Sequence, residues 1–557
     1  MRIPAALEEV IHTLEPKVSV PAAAASALAP VASALSLIPG GKSDAFSLEG
    51  LFGWDHLSPQ SAPPIKGTVA DDVSLLNKTK VNRVVRPKTA EDVAGALEYA
   101  RAKGLKVSMA GARHSMGGQS LVENGVLLDM TSFNRMSLGD PAKGEGKTLR
   151  VQTGAMWSDV QKFLDERGLS VDVMQTPNFF TVGGTLSVNA HGSNPNSGPF
   201  SSTVQSLRVM LPSGEVKQCS RTENPELFKS VIGGYGLFGV VLDVDIKVRD
   251  NEMYKFEHKK MDYKQFPEFY KREIEGNDQV GYLHALFDVS PGKGFLRDLA
   301  VYEYTKDPGY KGETPAIKDD WMRPVREAIG YAGYRVATGG HLAKEMYWEA
   351  LDKVIPAVAP KHTSRNLLMN EAFDGFRNDV SKNQTQIFQE YFIPRENIDP
   401  FLDKAREILQ RYDANIAMAA LRGVKKDDTA MMGYANQKDC FGFVMALQHD
   451  ISDKNNEKLA AMTRELVDVA RQFGGRNYLP YQLAYTPEQL KATYPETDAF
   501  LEMKQKYDPS QMFSNKWFQK YGDTSRAQPV PERPAIAPVA EGPIDWNAGL
   551  SRRAAGE

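Results

Sequence analysis

Two cysteines, Cys219 and Cys440, are all that this chain of 557 residues contains. They are too few for a disulfide framework and lie far apart, in no metal-ligand spacing. The nine histidines form no His-Glu-x-x-His or similar pattern, so composition points to no metal site. Long apolar runs are also missing. The Ala- and Val-rich stretch from Val18 to Leu37 is broken by Pro21 and Pro30, whereas a spanning helix needs about 20 continuous apolar residues. No basic run precedes an unbroken apolar core, so a standard secretory leader is not expected. A large excess of charge of either sign is absent as well. The formal net charge is -3, which argues for neither nucleic acid nor an acidic membrane surface as partner. The dinucleotide fingerprint Gly-x-Gly-x-x-Gly is read as absent, which sets aside a Rossmann unit.

What is present is a soluble-protein composition and enough length for about two to four domains. Residues 1–75 read as an N-terminal extension that packs on the body or touches a membrane. Residues 76–250 and 251–505 read as two domains, 506–522 as a return of the chain to the first, and 523–557 as a flexible tail rich in Pro, Ala and charge. Localisation is expected to be cytoplasmic, with membrane association through the N-terminal segment left open.

From Val81 the pattern becomes regular. VNRVVRP is an extended segment. Thr89 to Lys103 is an amphipathic helix with Thr89 as N-cap, Glu91 and Asp92 in its first turn, and Gly104 at its end. LKVSMA and GVLLDM read as strands around a glycine turn. LRVQTGA leads into a helix from Trp157 to Arg167, stopped by Gly168. The strands of SLRVMLPSGEVKQC are joined by a Pro-Ser-Gly hairpin turn. Gly233 to Lys247 reads as a glycine-bearing strand. TQIFQEYFIP and GFVMALQH are strands of the second domain.

The most informative stretch is GARHSMGGQ, Gly111 to Gln119. A strand that opens into a small-residue turn gathers several backbone N–H groups at one point, a natural seat for a pyrophosphate. Glycines at 111, 117, 118, 183 and 184 would let backbone approach phosphate oxygens, and Ser115, Thr181, Thr185 and Ser187 could offer hydroxyls. Taken alone, His114 in that turn reads more readily as an ordinary loop histidine than as a flavin anchor.

Four segments carry a family resemblance: GARHSMGGQ, TPNFFTVGGTLSVNAHGSN, GGYGLFGVVLDVDIK and KYDPSQMFSNKW. In this order they resemble the vanillyl-alcohol-oxidase, or PCMH, type of FAD-dependent oxidoreductase. The motifs are most similar to those of cytokinin dehydrogenases and aldonolactone or alditol oxidases. The resemblance implies an α+β fold: a two-subdomain PCMH-type FAD-binding domain, and a substrate domain with a large antiparallel sheet flanked by helices. It implies FAD as cofactor, bonded covalently to His114. It places Gly111, Ala112, Arg113, Ser115, Met116, Gln119, Thr176, Thr181, Gly184, Ser187, His191 and Val241 around the cofactor, beside His114.

On the substrate side, Glu390 stands where related sugar oxidases place a polar group near the flavin. Arg422 matches an arginine that alditol and aldonolactone oxidases use on the reacting hydroxyl. Those enzymes carry a glutamate two residues earlier, where this chain has Ala420. They also carry a lysine where this chain has Tyr481, with Tyr478 nearby. The implied activity is oxidation of a CH–OH group of a sugar-like or other hydroxylated small molecule, with oxygen as electron acceptor. A dehydrogenase passing electrons to a quinone or a protein, and a non-catalytic flavin-binding protein, are the alternatives.

Overall fold

The computed structural model describes residues 62–139, 146–319, 340–370 and 383–522. The expectations for residues 1–61 and for the tail from 523 lie outside the described residues.

Strands β1 (Val69–Ala70) and β2 (Thr79–Lys80) form a small antiparallel pair. Strands β3 (Arg83–Val85), β4 (Val107–Ala110) and β5 (Val126–Asp129) form a parallel sheet in the order β3-β5-β4. The crossover between β3 and β4 is helix α1 (Ala90–Ala102). It starts where a cap exists. Thr89 Oγ1 accepts from the Asp92 amide at 3.2 Å, and the Asp92 carboxylate accepts from the Thr89 amide at 3.1 Å. It stops at Gly104, whose φ of +62° suits glycine. Its Val93, Ala96, Leu97 and Ala100 are buried with Val107, Val126 and Leu128.

Strands β6 (Met136–Leu138), β7 (Thr148–Gln152), β8 (Leu169–Val171), β9 (Val204–Met210), β10 (Val216–Ser220) and β11 (Val240–Asp250) make a six-stranded antiparallel sheet. Its order is β10-β9-β11-β7-β6, with β8 also on β11. Helix α2 (Trp157–Asp165) packs beside it and ends short of the expected Arg167. The segment VGGTLSVN forms helix α3 (Val182–Val188). Two expectations fail between α3 and β11. Gly233–Gly239 is a turn and β11 begins only at Val240, because Gly233 and Gly236 hold φ of +67° and +70°. The fingerprint letters are in fact present at Gly234, Gly236 and Gly239, but they open into a strand instead of a helix, so no Rossmann unit results.

The remaining strands are β12 (Met253–Asp262), β13 (Val280–Phe287), β14 (Asp298–Lys306), β15 (His362–Ser364), β16 (Gln384–Pro394), β17 (Ile416–Val424), β18 (Cys440–Asp450) and β19 (Arg476–Asn477). They form one eight-stranded antiparallel sheet, ordered β15-β12-β14-β13-β17-β18-β16-β19. Long helices, including Ile398–Arg411 and Asp453–Gln472, back it. Helix α4 (His341–Glu349) and the turns that follow it lie at its other side, where Trp348 and Leu351 join Ala300 and Tyr302.

Both termini of the described chain fold onto the first lobe. Val107 donates to the Met512 carbonyl at 2.8 Å, and Ser514 donates to the Val107 carbonyl at 2.9 Å, so 512–514 closes the outer edge of β4. Residues 62–75, expected as extension, belong to the body. The Arg113 guanidinium donates to the Asp71 carbonyl at 3.0 Å and to the Pro63 carbonyl at 2.6 Å. Among the described residues no helix is long and apolar enough to cross a membrane.

Candidate active site

A cavity of about 850 Å³ lies between the lobes. One wall is the turn after β4, helix α3 and the turn before β11. The other is one face of the eight-stranded sheet. The residues that the resemblance places around cofactor and substrate all line it, whereas Gly117 and Gly118 do not.

The turn after β4 forms a nest of donors. Arg113 takes φ of +56°, a left-handed conformation that turns successive amides toward one point. Among the described residues the amides of Ala112, Arg113 and Ser115 have no partner, whereas Met116 donates to the Pro480 carbonyl. Gly117 donates to Gln119 Oε1, and Gly118 to Asp72 Oδ2, each at 2.9 Å. Only the backbone of Arg113 serves the cavity, because its side chain is held by residues 62–71. His114 packs against both Phe179 and Phe180, with ring centroids 5.0 and 4.4 Å away.

The glycines do not share one role. A Cβ on Gly111 would strike the Thr181 hydroxyl; on Gly117 it would meet the Tyr481 carbonyl at 2.5 Å; on Gly183 it would meet Thr153 at 2.7 Å. Gly118 holds φ of +70° against Lys516. These four therefore allow protein to pack on protein. Gly184 alone faces open cavity, its Cβ position meeting only Thr181 Oγ1 at 3.1 Å. The amides at the start of α3 are spent internally: Val182 on Ala155, Gly183 on Thr153, and Gly184 on Thr181 Oγ1. The free amide donors of this wall are thus at Ala112, Arg113 and Ser115, not at the helix start.

Several other expectations change. The Thr185 hydroxyl accepts from Trp157 Nε1 and donates to Gln175, both at 2.7 Å, and is committed to packing. The Gln119 amide donates to the Leu479 carbonyl at 2.9 Å and the Tyr481 carbonyl at 3.2 Å, so Gln119 positions the 479–481 loop. The Tyr478 hydroxyl donates to the Val188 carbonyl at 2.9 Å and has no proton left to offer a substrate. His191, expected beside the cofactor, pairs with the carboxylate of Glu390: Nε2 lies 2.8 Å from Oε1, with both side chains buried. Rings of Phe392, Tyr434 and Tyr478 enclose that imidazole.

Glu390 and Arg422 were placed on neighbouring strands by the sequence reading. They lie on β16 and β17, separated by β18. Val444 sits opposite Glu390 and Gly442 opposite Arg422. Because Gly442 has no side chain, Glu390 can reach across; a Cβ there would come within 3.1 Å of its Oε1. Arg422 Nε is buried and has no hydrogen-bond partner among the described residues. Burial first, and then the charge of Glu390, hold the Tyr481 phenol well above its usual range. His284, which the sequence did not single out, also lines the cavity. Burial and the nearby Arg422 charge push its imidazole down to about 3, so it is neutral. Beneath the nest, Asp72 is fully buried, and burial raises its carboxyl to about 7 against the pull of Ser74 and Gly118.

A nest of anion donors at one end of a cavity and a buried carboxylate–imidazole pair at the other define a cofactor-dependent enzyme. Comparison with known proteins supplies the cofactor. Residues 81–220 match an FAD binding domain and residues 321–521 match D-arabinono-1,4-lactone oxidase. The chain is 37% identical over 166 residues to an uncharacterized oxidoreductase of the fasciation locus of Rhodococcoides fascians, covering 30% of this chain and 37% of that one. It is 32% identical over 246 residues to cytokinin dehydrogenase 2 of Arabidopsis thaliana, covering 42% and 48%. To L-gulonolactone oxidase of Scyliorhinus torazame it is 21% identical over 444 residues, covering 78% and 93%. The chain spans between a third and a half of the length of the first curated relatives it matches. It belongs to the FAD-dependent oxidoreductases of the vanillyl-alcohol-oxidase, or PCMH, type. Its cofactor is FAD. The open space at Gly184 and the three unpaired amides of the nest fit a pyrophosphate there.

Proposed function

We propose that the enzyme oxidises a CH–OH group of a small hydroxylated substrate, with oxygen as the electron acceptor and His114 as a covalent anchor for FAD. The observation that carries this reading is the pairing of Glu390 with His191 on the same sheet face as Arg422. FAD, when bound, supplies the two-electron acceptor for the carbon-bound hydride. Glu390 takes the hydroxyl proton, and the His191 hydrogen bond fixes the orientation of its carboxylate. The unpaired Nε of Arg422 is a fixed donor for the oxygen as its negative charge develops. The ring cage around His191 keeps water from this pair. A buried carboxylate and imidazole beside a half-buried guanidinium on one wall are costly to keep, which weighs against a non-catalytic flavin carrier.

Anaerobic stopped-flow with a panel of alcohols tests the assignment. Arg422→Ala should slow flavin reduction by about 10²–10³-fold with FAD content intact. An unchanged rate removes Arg422 from the reaction. Acid precipitation tests the anchor: colour should stay in the wild-type pellet and pass to the supernatant for His114→Ala. Release of hydrogen peroxide in air should accompany turnover.

A further inference from the structure

The cavity is chemically uneven along the sheet. One row across the face reads Phe392, Gly442 and Arg422 on β16, β18 and β17. Continuing the β13–β17 register places His284 opposite Arg422, and Tyr302 on β14 lies opposite His284. The next row reads Glu390, Val444, Ala420, Leu286 and Ala300. Carboxylate, guanidinium and imidazole groups therefore occupy the β16–β13 end, and beyond His284 the titratable groups are tyrosine phenols only. Past it the wall is Leu286, Tyr302, Tyr304 and, from the α4 segment, Tyr347, Leu351 and Ile355. The Tyr302 hydroxyl is donated to the Leu351 carbonyl at 2.5 Å, which leaves its ring as wall. Lining residues contributed by 347–370 carry no charge; the polar ones are Tyr347, Thr363 and Asn370, whose Oδ1 accepts from Asn178 at 2.6 Å and whose buried Nδ2, at the far end of the segment, is the one donor without a partner among the described residues there.

From this gradient we infer that the substrate is an alcohol with one polar end and an extended apolar body, not a polyol or sugar lactone. The inference rests on the CH–OH reading above and names its substrate class. A polyol would bring several hydroxyls into the Leu286–Ile355 arm, where each buried without a partner costs free energy. Beside Arg422, Ala420 and Val444 offer a second hydroxyl no acceptor, both being buried and apolar. An apolar chain gains instead from the same surface, by about fourfold in affinity for each buried methylene.

The test uses the FAD-loaded enzyme and the primary alcohols from ethanol to decan-1-ol, with xylitol and D-arabinono-1,4-lactone as polar probes. Half-saturation of anaerobic flavin reduction and calorimetric affinity are measured for each. The expected result is an increment of about fourfold per added carbon over several carbons, with xylitol and the lactone far weaker than octan-1-ol. Leu351→Ala or Ile355→Ala should reduce the increment for the longer chains. Xylitol or the lactone saturating at or below the octan-1-ol concentration overturns the inference, as does affinity that ignores chain length. Chain-length-dependent binding without flavin reduction by any alcohol sustains the apolar arm and overturns the CH–OH chemistry instead.

Discussion

Gly184 is the one glycine of the turn region whose missing side chain leaves cavity space, so it separates cofactor binding from packing. Gly184→Val should purify folded but with a clearly lower flavin-to-protein absorbance ratio. Full occupancy would mean that the cofactor does not pass over α3. Asp72 yields a pH prediction. Its carboxyl titrates near 7 in the folded protein, against an ordinary 3.8. Between these values the folded state holds a proton that the unfolded state has released, so stability falls as pH rises from about 4 to 7. Below that window the residue costs nothing. The decline in thermal midpoint across the window should flatten in Asp72→Asn, and a slope equal to wild type would dismiss the effect.

For the elements, the order of strands decides what can meet. Gly442 on β18 is the gap through which Glu390 on β16 and Arg422 on β17 share one site. Gly442→Val should displace the carboxylate and lower flavin reduction at least tenfold, with the circular dichroism spectrum retained; stopped-flow measures the first. This gap was not legible in the sequence. Local patterning marked β16, β17 and β18 as strands, but nothing in a strand's own residues says which strand lies between which. The His191–Glu390 pair was hidden for the same reason, its members being 199 positions apart. Features written in consecutive residues were legible: the capping box at Thr89, the Pro-Ser-Gly hairpin, the histidine turn after β4. The glycine turn before β11 was misread because alternating Val and Asp continue straight out of it, and period alone does not mark where pairing begins.

At the scale of the whole molecule, the lobes are joined through the C-terminal return. Lys504 is buried against Asp508, whose carboxylate also accepts from the amides of Met512 and Phe513 at 2.9 and 2.8 Å. Asp508→Ala strands the lysine and opens that turn, which should cost about 3–5 kcal/mol. Urea denaturation with flavin fluorescence as reporter measures it, and a loss below about 1 kcal/mol would show that the return is not a structural clamp.

The edge that 512–514 closes belongs to β4, the strand that carries the histidine turn. Lys106, just before that strand, reaches the carbonyl of Gln511 across 405 positions of chain. Contacts of such separation form late, since a long loop must be closed before they repay its entropy. The nest can therefore exist in its final shape only after nearly everything between has found its place. Cofactor capture then becomes a record of completed folding: a molecule arrested partway would remain colourless, and yellow colour would count the finished ones.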